Sequence, residues 1–469
     1  MSKRVVMKFG GTSVGNARAV RNAATLVQAA REEGHQVIVV VSAMRGVTDA
    51  LISAATVAAA GEHGAPESAK QLLWEKHHEA AADLLGHESW GVLGDIEGEL
   101  SNFANLATAT SVLGEVTPRA MDFISSLGER FNALLVAAYL SVQGCPAQAI
   151  MADTIIVTDN QFGNANPLLD PTGERTRASL LPMLEAGVVP VVTGFMGATL
   201  AGIVTTLGRG GSDYTASILG HALDADEIWI WSDVDGVLTA DPRVVADAHP
   251  IPQLSYTEAA ELAYFGAKVL HPKTVRPAIE KNIPIRMLNT FNPTHAGTWI
   301  RRGPSHGSPV KAVTSIPGLA LITIEGRGML GVPGVAARVF GTVARLGVSV
   351  LMISQGSSEQ SICFVIRQDE SAAVVAALEE EFHLELYQGN IDRIWQEAEV
   401  VIVAVVGAAM RGTPGIGGRL FTALGDNEIN VLSIAQGSSE YNVSLVVSQQ
   451  DADDAVRAIH RAFNLGRTA

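Results

Sequence analysis

Two glycine-rich segments of the chain place charged side chains beside glycines, a combination suited to holding phosphate. The first spans Lys8 to Ser13 (KFGGTS), where an apolar, strand-like run ends and a helical pattern begins. Glycines at such a junction let backbone N–H groups approach a ligand, and the N-terminus of the helix favours an anion. The segment is therefore a candidate phosphate site, although a purely structural turn would use the same glycines. The chain contains no Walker A motif.

The second segment, residues 207–216 (LGRGGSDYTA), also follows a strand-like run and opens a helical pattern. Ser212 stands where an N-cap residue would accept a hydrogen bond from the helix. A tight turn with a cap explains the glycines and Ser212, but it does not explain Arg209 and Asp213 beside them. Two loops of this kind could converge on one polyphosphate.

A third segment, residues 231–237 (WSDVDGV), ends another apolar run in acidic residues, and Arg243 follows it closely. Carboxylates at the end of a strand can bind a nucleotide or its metal ion. An Asp-Gly turn accounts for Asp235 and Gly236 equally well.

The elements that must position these residues follow an alternating order. Up to about residue 300, β-rich apolar runs alternate with longer helical patterns, which predicts an α/β fold with a mainly parallel sheet between helices. Predicted strands cover 4–9, 36–42, 188–193, 202–206, 227–231 and 284–288, and predicted helices cover 16–33, 121–143, 212–223 and 256–270. Residues 66–115 carry no strand signal and predict a helical insertion.

The last third of the chain is a duplication. Residues 319–368 and 400–449 repeat each other at an offset of 81, with the same QGSSE run starting at Gln355 and Gln436. Each copy reads as strand, helix, strand, strand, which predicts two α+β modules. The pattern resembles the ACT domain, a sensor of free amino acids. The G-x-G-x-x-G run at 326–331 loses its middle glycine in the second copy, so it serves the module rather than a dinucleotide.

Composition limits the partners. The chain has 469 residues, 47% hydrophobic and 17% charged, with a formal net charge of −15, which argues against nucleic acid or an anionic membrane as partner. The first residues lead directly into a strand without a signal-peptide pattern, and Cys145 and Cys363 fall in different predicted domains. We therefore expect a cytoplasmic protein with no thiolate metal site.

Taken together, these motifs resemble the aspartate kinases of the amino-acid kinase superfamily. The resemblance runs from Val6 to Asn464 and rests on KFGGTSV, GRGGSDYTA and FGAKVLHP, the last at 265–272. It implies that Lys8 contacts the transferring phosphoryl group and that Asp213 positions its ammonium. It implies an amino acid pocket formed by Thr48, Glu129, Arg209 and Ser212. It implies nucleotide and phosphate contacts from Gly10, Gly11, Thr12, Gly210, Gly211, Ser232, Asp233, Arg243 and Lys268. Ser232 replaces the family's common Thr, and Leu238 stands where many members have Tyr.

The implied reaction is ATP-dependent, Mg²⁺-assisted phosphorylation of the L-aspartate β-carboxylate, the first step toward lysine, threonine and methionine. That carboxylate is already an anion at neutral pH, so the reaction needs charge neutralisation rather than a general base. Two alternatives stay open: a kinase for another amino-acid carboxylate or for carbamate, and a catalytically inactive amino-acid sensor.

The resemblance also implies the domain order. We expect a kinase domain over 1–300, a linker over 301–311, a first ACT module over 312–395 and a second over 396–469, with the strand near 310–315 recruited by the second. Because the sequence ends there, we expect no fused homoserine dehydrogenase. We expect a homodimer or higher homo-oligomer through the modules, and feedback inhibition by threonine, with lysine as the alternative. The candidate effector contacts are Gln355, Ser357, Gln436 and Ser438.

Overall fold

The structure is a computed structural model, and it describes residues 2–266, 270, 272–303, 308–356, 360–410, 412–437 and 441–466. The chain divides into two compact units. Unit 1 comprises residues 1–237, 252–256 and 270–303, and unit 2 comprises residues 238–251, 257–269 and 304–469.

The chain up to residue 303 alternates strands and helices, as predicted. Its strands are β1 (Arg4–Phe9), β2 (Gln36–Val41), β3 (Ala147–Ile150), β4 (Val157–Thr158), β5 (Val189–Thr193), β6 (Met196–Thr199), β7 (Val204–Thr206), β8 (Glu227–Ser232), β9 (Gln253–Leu254), β10 (Ile285–Asn289) and β11 (Thr298–Ile300). Its helices are α1 (Ala17–Glu32), α2 (Val47–Ala59), α3 (Ala65–Leu85), α4 (Trp90–Leu113), α5 (Pro118–Val142), α6 (Leu169–Glu185), α7 (Gly211–Ala222), α8 (Tyr256–Tyr264) and α9 (Pro272–Glu280).

The main sheet of unit 1 has the strand order β3-β5-β2-β1-β8-β10-β11-β9, and its six strands from β3 to β10 run parallel. Parallel strands end at one edge, so the segments that follow β1, β2, β5, β8 and β10 meet there. The chain leaves β1 toward β2 on one side and later returns to β8 on the other. This reversal makes the β1–β8 boundary the place where open α/β sheets bind ligands.

Local sequence explains where the helices near this edge begin. Asn16 caps α1 by accepting a hydrogen bond from the Ala19 N–H at 2.9 Å. Thr117 caps α5 in the same way, and Pro118 occupies the first helical turn, where its missing N–H costs nothing. Helix α7 begins after Gly210, whose φ of +71° lies in the left-handed region that favours glycine.

Unit 2 contains the duplicated modules. Its strands are β12 (Ala312–Glu325), β13 (Met352–Gln355), β14 (Ser361–Arg367), β15 (Arg393–Val406), β16 (Ser433–Ala435) and β17 (Asn442–Ser448). Its helices beyond α8 are α10 (Val335–Arg345), α11 (Ser371–Glu381), α12 (His383–Tyr387), α13 (Ile416–Gly425) and α14 (Ala452–Ala462). The strands form one sheet in the order β13-β14-β12-β15-β17-β16.

Both long central strands serve two modules. The second half of β12, 319–325, pairs with β14 and with the start of β15 in the first module, whereas 312–316 pairs with 402–406 in the second. The strand near 310–315 is thus recruited by the second module, as the resemblance implied. Alternate residues face opposite sides of the sheet: Ala320 and Ile322 join one apolar cluster, while Leu319 and Leu321 join another.

Residues 238–251 pack in unit 2, although the predicted kinase domain ran to residue 300. Ala240 and Val245 belong to the apolar cluster of the second module. Thr239 Oγ1 lies 3.0 Å from Nε2 of the buried His460 on α14, and the Val313 N–H donates to the Thr239 carbonyl at 2.9 Å. The boundary between the two compact units therefore differs from the predicted domain boundary, because Ala240 and Val245 pack against apolar side chains of the second module.

The described helices differ in length and hydrophobicity from membrane-spanning helices. None of them is both long enough and apolar enough to cross a membrane.

Candidate active site

The loops after β1 and β8 are joined at the sheet edge. The Gly10 N–H donates to the Trp231 carbonyl at 3.1 Å, and Ser13 Oγ donates to the same oxygen at 3.3 Å. A side chain at Gly10 would place its Cβ 3.7 Å from Lys8 Nζ. The glycine therefore leaves open the space beside the ammonium group.

Lys8 and Asp213 form an ion pair across this edge. Lys8 Nζ lies 2.6 Å from Asp213 Oδ1, and the two side chains are 11% and 17% exposed. Lys8 is the next-to-last residue of β1, and Asp213 lies in the first turn of α7, so the pair joins the two glycine-rich loops. Asp213 Oδ1 is buried, and the Lys8 ammonium group is its charge partner.

Glu129 of α5 is buried beside this pair. Burial raises the pKa of its carboxyl to about 8, while the N–H of Ala43 and the charge of Lys8 act to lower that pKa. Oxygen Oε2 is buried and has no hydrogen-bond partner among the described residues. A buried acceptor without a donor is costly, and a bound cation would satisfy it.

Two glycines let α5 and α7 approach the strand ends closely. A Cβ on Gly128 would lie 2.7 Å from the Ala43 Cβ and 3.6 Å from Thr48 Oγ1, which places Thr48 next to Glu129. A Cβ on Gly194, which follows β5, would lie 2.5 Å from Ser212 Oγ. Ser212 thus faces the end of β5 rather than capping α7, whose cap position is Gly210.

Arg209 is exposed, and the described part of the chain offers its guanidinium no ion-pair partner. The loop that contains Arg209 nevertheless packs against two side chains, Asn164 and Lys273. The Asn164 side-chain oxygen lies 2.8 Å from where a Gly208 Cβ would be, and Lys273 of α9 donates to that oxygen at 2.9 Å.

The predicted nucleotide contacts fall into three groups. Ser232 is the last residue of β8 and Asp233 follows it, and the Ser232 carbonyl accepts the N–H of Thr290, the residue after β10, at 2.9 Å. Arg243 lies in unit 2, where its guanidinium binds the Asp241 carboxylate at 2.6 Å. Lys268 lies outside the described residues.

Sequence reasoning missed several residues that build the site. The buried carboxylate of Asp122 accepts hydrogen bonds from the Gly163 and Thr206 N–H groups and so anchors the strand before the second glycine-rich loop. Asn132 donates to the Ser42 carbonyl at 2.6 Å. The position of Gly194 directly after a predicted strand could have identified it as part of the site. Nothing in the sequence around Asp122 and Asn132 indicates their role, because their hydrogen-bond partners are distant in sequence.

Unit 2 contains two equivalent pockets. One, of about 300 Å³, is lined by Gln355, Met329, the 331–336 turn and Ile362; the other, of about 550 Å³, is lined by Gln436, Met410, the 412–417 turn and Val443. Each residue of the first set has its partner in the second at the repeat offset. Gln355 and Gln436 therefore line the pockets, whereas Ser357 and Ser438 lie outside the described residues.

Comparisons with known proteins agree with this architecture. A model of the amino acid kinase family matches residues 3–289, and an ACT domain model matches residues 322–382 and 403–463. The chain is 37% identical, over 98% of its length, to aspartokinase 3, chloroplastic, of Arabidopsis thaliana, of which it covers 81%. It is 38% identical to the bifunctional aspartokinase/homoserine dehydrogenase 2, chloroplastic, of the same plant, over 99% of its own length. The chain spans about half of that bifunctional relative, 51%.

Solved structures give the same result. Aspartokinase III of E. coli in complex with aspartate and ADP (R-state) superposes with a TM-score of 0.83 at 31% identity, covering 98% of this chain and 100% of that one. The same enzyme in complex with lysine and aspartate (T-state) gives 0.78 at 31% identity, covering 98% of this chain and 99% of that one. The chain therefore belongs to the amino acid kinase family and, within it, to the aspartate kinases.

Proposed function

We propose that this chain phosphorylates the β-carboxylate of L-aspartate with ATP, giving 4-phospho-L-aspartate and ADP. The observation that supports it most directly is the Lys8–Asp213 pair, at 2.6 Å, where the two glycine-rich loops meet beside buried Glu129. One β-carboxylate oxygen attacks the γ-phosphorus, and the bond from that phosphorus to the β,γ-bridging oxygen breaks. The reaction is the first step of aspartate-family amino acid biosynthesis.

The proposed roles follow from charge. The nucleophile and the γ-phosphate are both anions, so the lysine ammonium lowers their repulsion and stabilises charge that develops during transfer. Asp213 orients that ammonium. Glu129, the buried anion-forming group, receives the substrate ammonium, with Thr48 and Ser212 beside it. Arg209, without an ion-pair partner among the described residues, is suited to a bidentate contact with a substrate carboxylate.

ATP would lie over the ends of β1 and β8, on Gly10, Gly11, Thr12, Gly210, Gly211, Ser232 and Asp233. The open space at Gly10 fits a phosphate group. Mg²⁺ prefers oxygen ligands and is usually bound by one or two carboxylates together with substrate phosphates. Asp233, exposed at the end of β8, is suited to that role. The ion would neutralise phosphate charge.

The test is ADP release measured with and without L-aspartate, with hydroxylamine trapping of the acyl phosphate. Release that depends on aspartate and on Mg²⁺ supports the proposal. Equal release in the absence of aspartate contradicts it, release with another amino acid supports a kinase of different specificity, and no release at all supports an inactive sensor.

We also propose that an amino acid effector, threonine, binds the two module pockets and inhibits the kinase. The lysine alternative rests on Glu359 and Glu440, whose carboxylates could pair with a lysine ε-ammonium and which lie outside the described residues. The amides of Gln355 and Gln436 suit a small polar ligand. Inhibition requires that the ligand bind one arrangement of the enzyme more tightly than another.

Threonine and lysine are titrated separately against wild type, Gln355→Ala and Gln436→Ala. Weaker inhibition by threonine in the variants, with the uninhibited kcat retained, supports the assignment. If lysine inhibits and threonine does not, lysine is the effector instead of threonine. A cytoplasmic location and a homo-oligomer formed through the modules stay predictions, and sedimentation velocity tests the second.

A further inference from the structure

The Asp122 carboxylate of α5 joins two segments that precede the second glycine-rich loop. The Gly163 N–H donates to both of its oxygens, at 2.9 and 3.0 Å. The Thr206 hydroxyl donates to Oδ1 and the Thr206 N–H donates to Oδ2, each at 2.8 Å. Asp122 is 2% exposed, so these bonds are shielded from water. All of these donors are uncharged, and the carboxylate acts here as a hydrogen-bond acceptor.

The two segments are also bonded to each other and to the loop. The Ala165 N–H donates to the Thr206 carbonyl at 2.9 Å. Asn164 lies against the loop, because its side-chain oxygen would be 2.8 Å from a Cβ on Gly208. Lys273 of α9 donates to the same oxygen at 2.9 Å. The carboxylate, the two segments and the loop therefore form one connected network.

Arg209 lies between two fixed points of this loop. On one side, Thr206 is the last residue of β7 and is bound by Asp122. On the other side, α7 begins at Gly211, where a Cβ would lie 2.7 Å from Phe195 Cδ2. Helix packing thus holds the end of the loop, and the α5 carboxylate holds its beginning.

The neighbours of Arg209 impose little conformation of their own. Gly208 and Gly210 have φ angles of +77° and +71°, and glycine adopts many other conformations as readily. The position of the Arg209 guanidinium therefore depends on the fixed points before and after the two glycines.

Helix α5 carries both Asp122 and Glu129, about two helical turns apart. The proposed function assigns Glu129 to the substrate ammonium and Arg209 to a substrate carboxylate. One helix thus determines the position of both groups, directly through Glu129 and indirectly through Thr206.

We propose that Asp122 is a positioning residue for the amino acid substrate, because its hydrogen bonds to Gly163 and Thr206 fix the loop that presents Arg209. Its role is indirect and depends on accepting hydrogen bonds rather than on charge. This inference rests on the proposed function, which assigns Arg209 to a substrate carboxylate.

The first test compares Asp122→Ala with Asp122→Asn in the full chain. Asp122→Ala leaves two buried N–H groups without an acceptor, and the KM for aspartate should rise about tenfold or more. In Asp122→Asn the amide oxygen can accept both N–H groups and the amide nitrogen can donate to the Thr206 hydroxyl. This variant should keep a KM within about twofold of wild type. The KM for ATP should change less in both, because α7 is held separately.

A double-mutant cycle with Arg209→Ala separates positioning from general damage. If Asp122 acts through Arg209, Asp122→Ala should lower kcat/KM for aspartate in the wild-type background and should change it little in the Arg209→Ala background. A loss that is only structural would be equally large in both backgrounds.

Thr206→Val provides a second, milder variant. It removes the hydroxyl that binds Asp122 and keeps the backbone N–H, so the KM for aspartate should rise about twofold to threefold. Its effect should also disappear in the Arg209→Ala background.

Thr172→Val is the matched control for that variant. Thr172 is also buried, and its hydroxyl accepts the Val157 N–H at 2.9 Å and donates to the Val157 carbonyl at 3.2 Å. These contacts join α6 to β4 and leave out the loop, so the control should keep the wild-type KM for aspartate.

The outcomes separate this inference from the proposed function. If wild type releases no ADP in response to aspartate, the proposed function fails. If wild type is active but Asp122→Ala and Thr206→Val keep its KM for aspartate, the positioning role is wrong. Effects of the same size in the Arg209→Ala background also overturn it, as does an Asp122→Asn enzyme as impaired as Asp122→Ala. Should Asp122→Ala unfold, Thr206→Val and its cycle decide alone.

Discussion

The Lys8 ammonium group is oriented by Asp213 and still has space beside it for a ligand. The group has three N–H donors, and Asp213 occupies one direction at 2.6 Å. The absence of a side chain at Gly10 leaves space on another side of the nitrogen. An incoming phosphate can therefore bind the ammonium without displacing the aspartate that orients it.

Replacing Lys8 should slow the chemical step more than it weakens binding. Lys8→Ala is expected to lower kcat by about 10²–10³, the usual effect of losing one preorganised donor, with a smaller change in the KM for aspartate. Steady-state kinetics measures both constants. Lys3→Ala is the control, because Lys3 precedes the same strand and pairs with Glu227. A Lys8→Ala enzyme with half of the wild-type kcat would remove Lys8 from the mechanism.

Glu129 should make aspartate binding depend on pH. Its pKa of about 8 means that the free enzyme carries a proton there below that pH, and the neutral acid cannot pair with an ammonium group. The value of kcat/KM for aspartate should therefore rise as pH increases through about 8, and Glu129→Gln should abolish this rise together with most of the activity.

The same residue should affect stability in the opposite direction. Because its folded pKa lies above the ordinary value of 4.5, its contribution to stability is complete below pH 4.5 and is lost as pH rises through about 8. Thermal unfolding of wild type and Glu129→Gln, followed between about pH 6 and pH 9, measures the difference. Parallel pH dependences of the two proteins would show that Glu129 does not titrate in this range.

The site residues that stand in sequence motifs could be predicted, whereas residues that reach the site only through tertiary packing could not. Lys8, Asp213, Ser212 and Glu129 stand in motifs, and the structure brings them to one sheet edge. The roles assigned to them stay proposals. Asn132 was not predicted, because its partner Ser42 is 90 residues away and only the packed helix shows their contact.

At the scale of elements, the close approach of α5 to α2 determines where Glu129 lies in the proposed amino acid pocket. Gly128 allows it, because a Cβ there would lie 2.7 Å from the Ala43 Cβ and 3.1 Å from Val47 Cγ1. All of these atoms are buried, so the neighbours cannot move into solvent. The helix would have to shift and carry Glu129 with it.

Gly128→Ala should therefore lower both stability and aspartate binding. Overpacking of this kind typically costs about 1–3 kcal/mol, and a shifted Glu129 should raise the KM for aspartate. Gly98→Ala is the matched control, since Gly98 lies within α4 with nothing near its Cβ position. That change should stabilise the protein by about 1 kcal/mol. Equal effects of the two substitutions on KM would contradict the packing argument.

The long, periodic elements were predictable and the short ones were not. Strand β1 has the predicted bounds, and α7 begins and ends within a residue of its predicted bounds. Strands β4 and β9 have two residues each, too few to show a period, and they exist because neighbouring strands offer hydrogen bonds. Residues 238–251 follow the kinase strands in sequence, and only their packing places them in unit 2.

At the scale of the molecule, the shared strands β12 and β15 should make unit 2 cooperative. Phe364 is fully buried in the first module and Leu420 in the second. Phe364→Ala and Leu420→Ala should each destabilise by about 2–5 kcal/mol and should shift the same calorimetric transition. If each substitution shifted a different transition, the modules would be independent in spite of their common strands.

The strand pairing also determines which segments of unit 2 can be deleted without leaving a strand unpaired. Ile316 pairs with Ile402 and Leu319 with Val400, so the chain leaves the second module and returns to it at adjacent points of the sheet. The first module is thus an insert in a β-hairpin of the second. Excising it and joining the flanks would leave 312–316 and 402–406 as the two arms of that hairpin. Truncating the chain after the first module would instead remove 402–406, the partner of 312–316. The strand edge exposed in this way would favour aggregation.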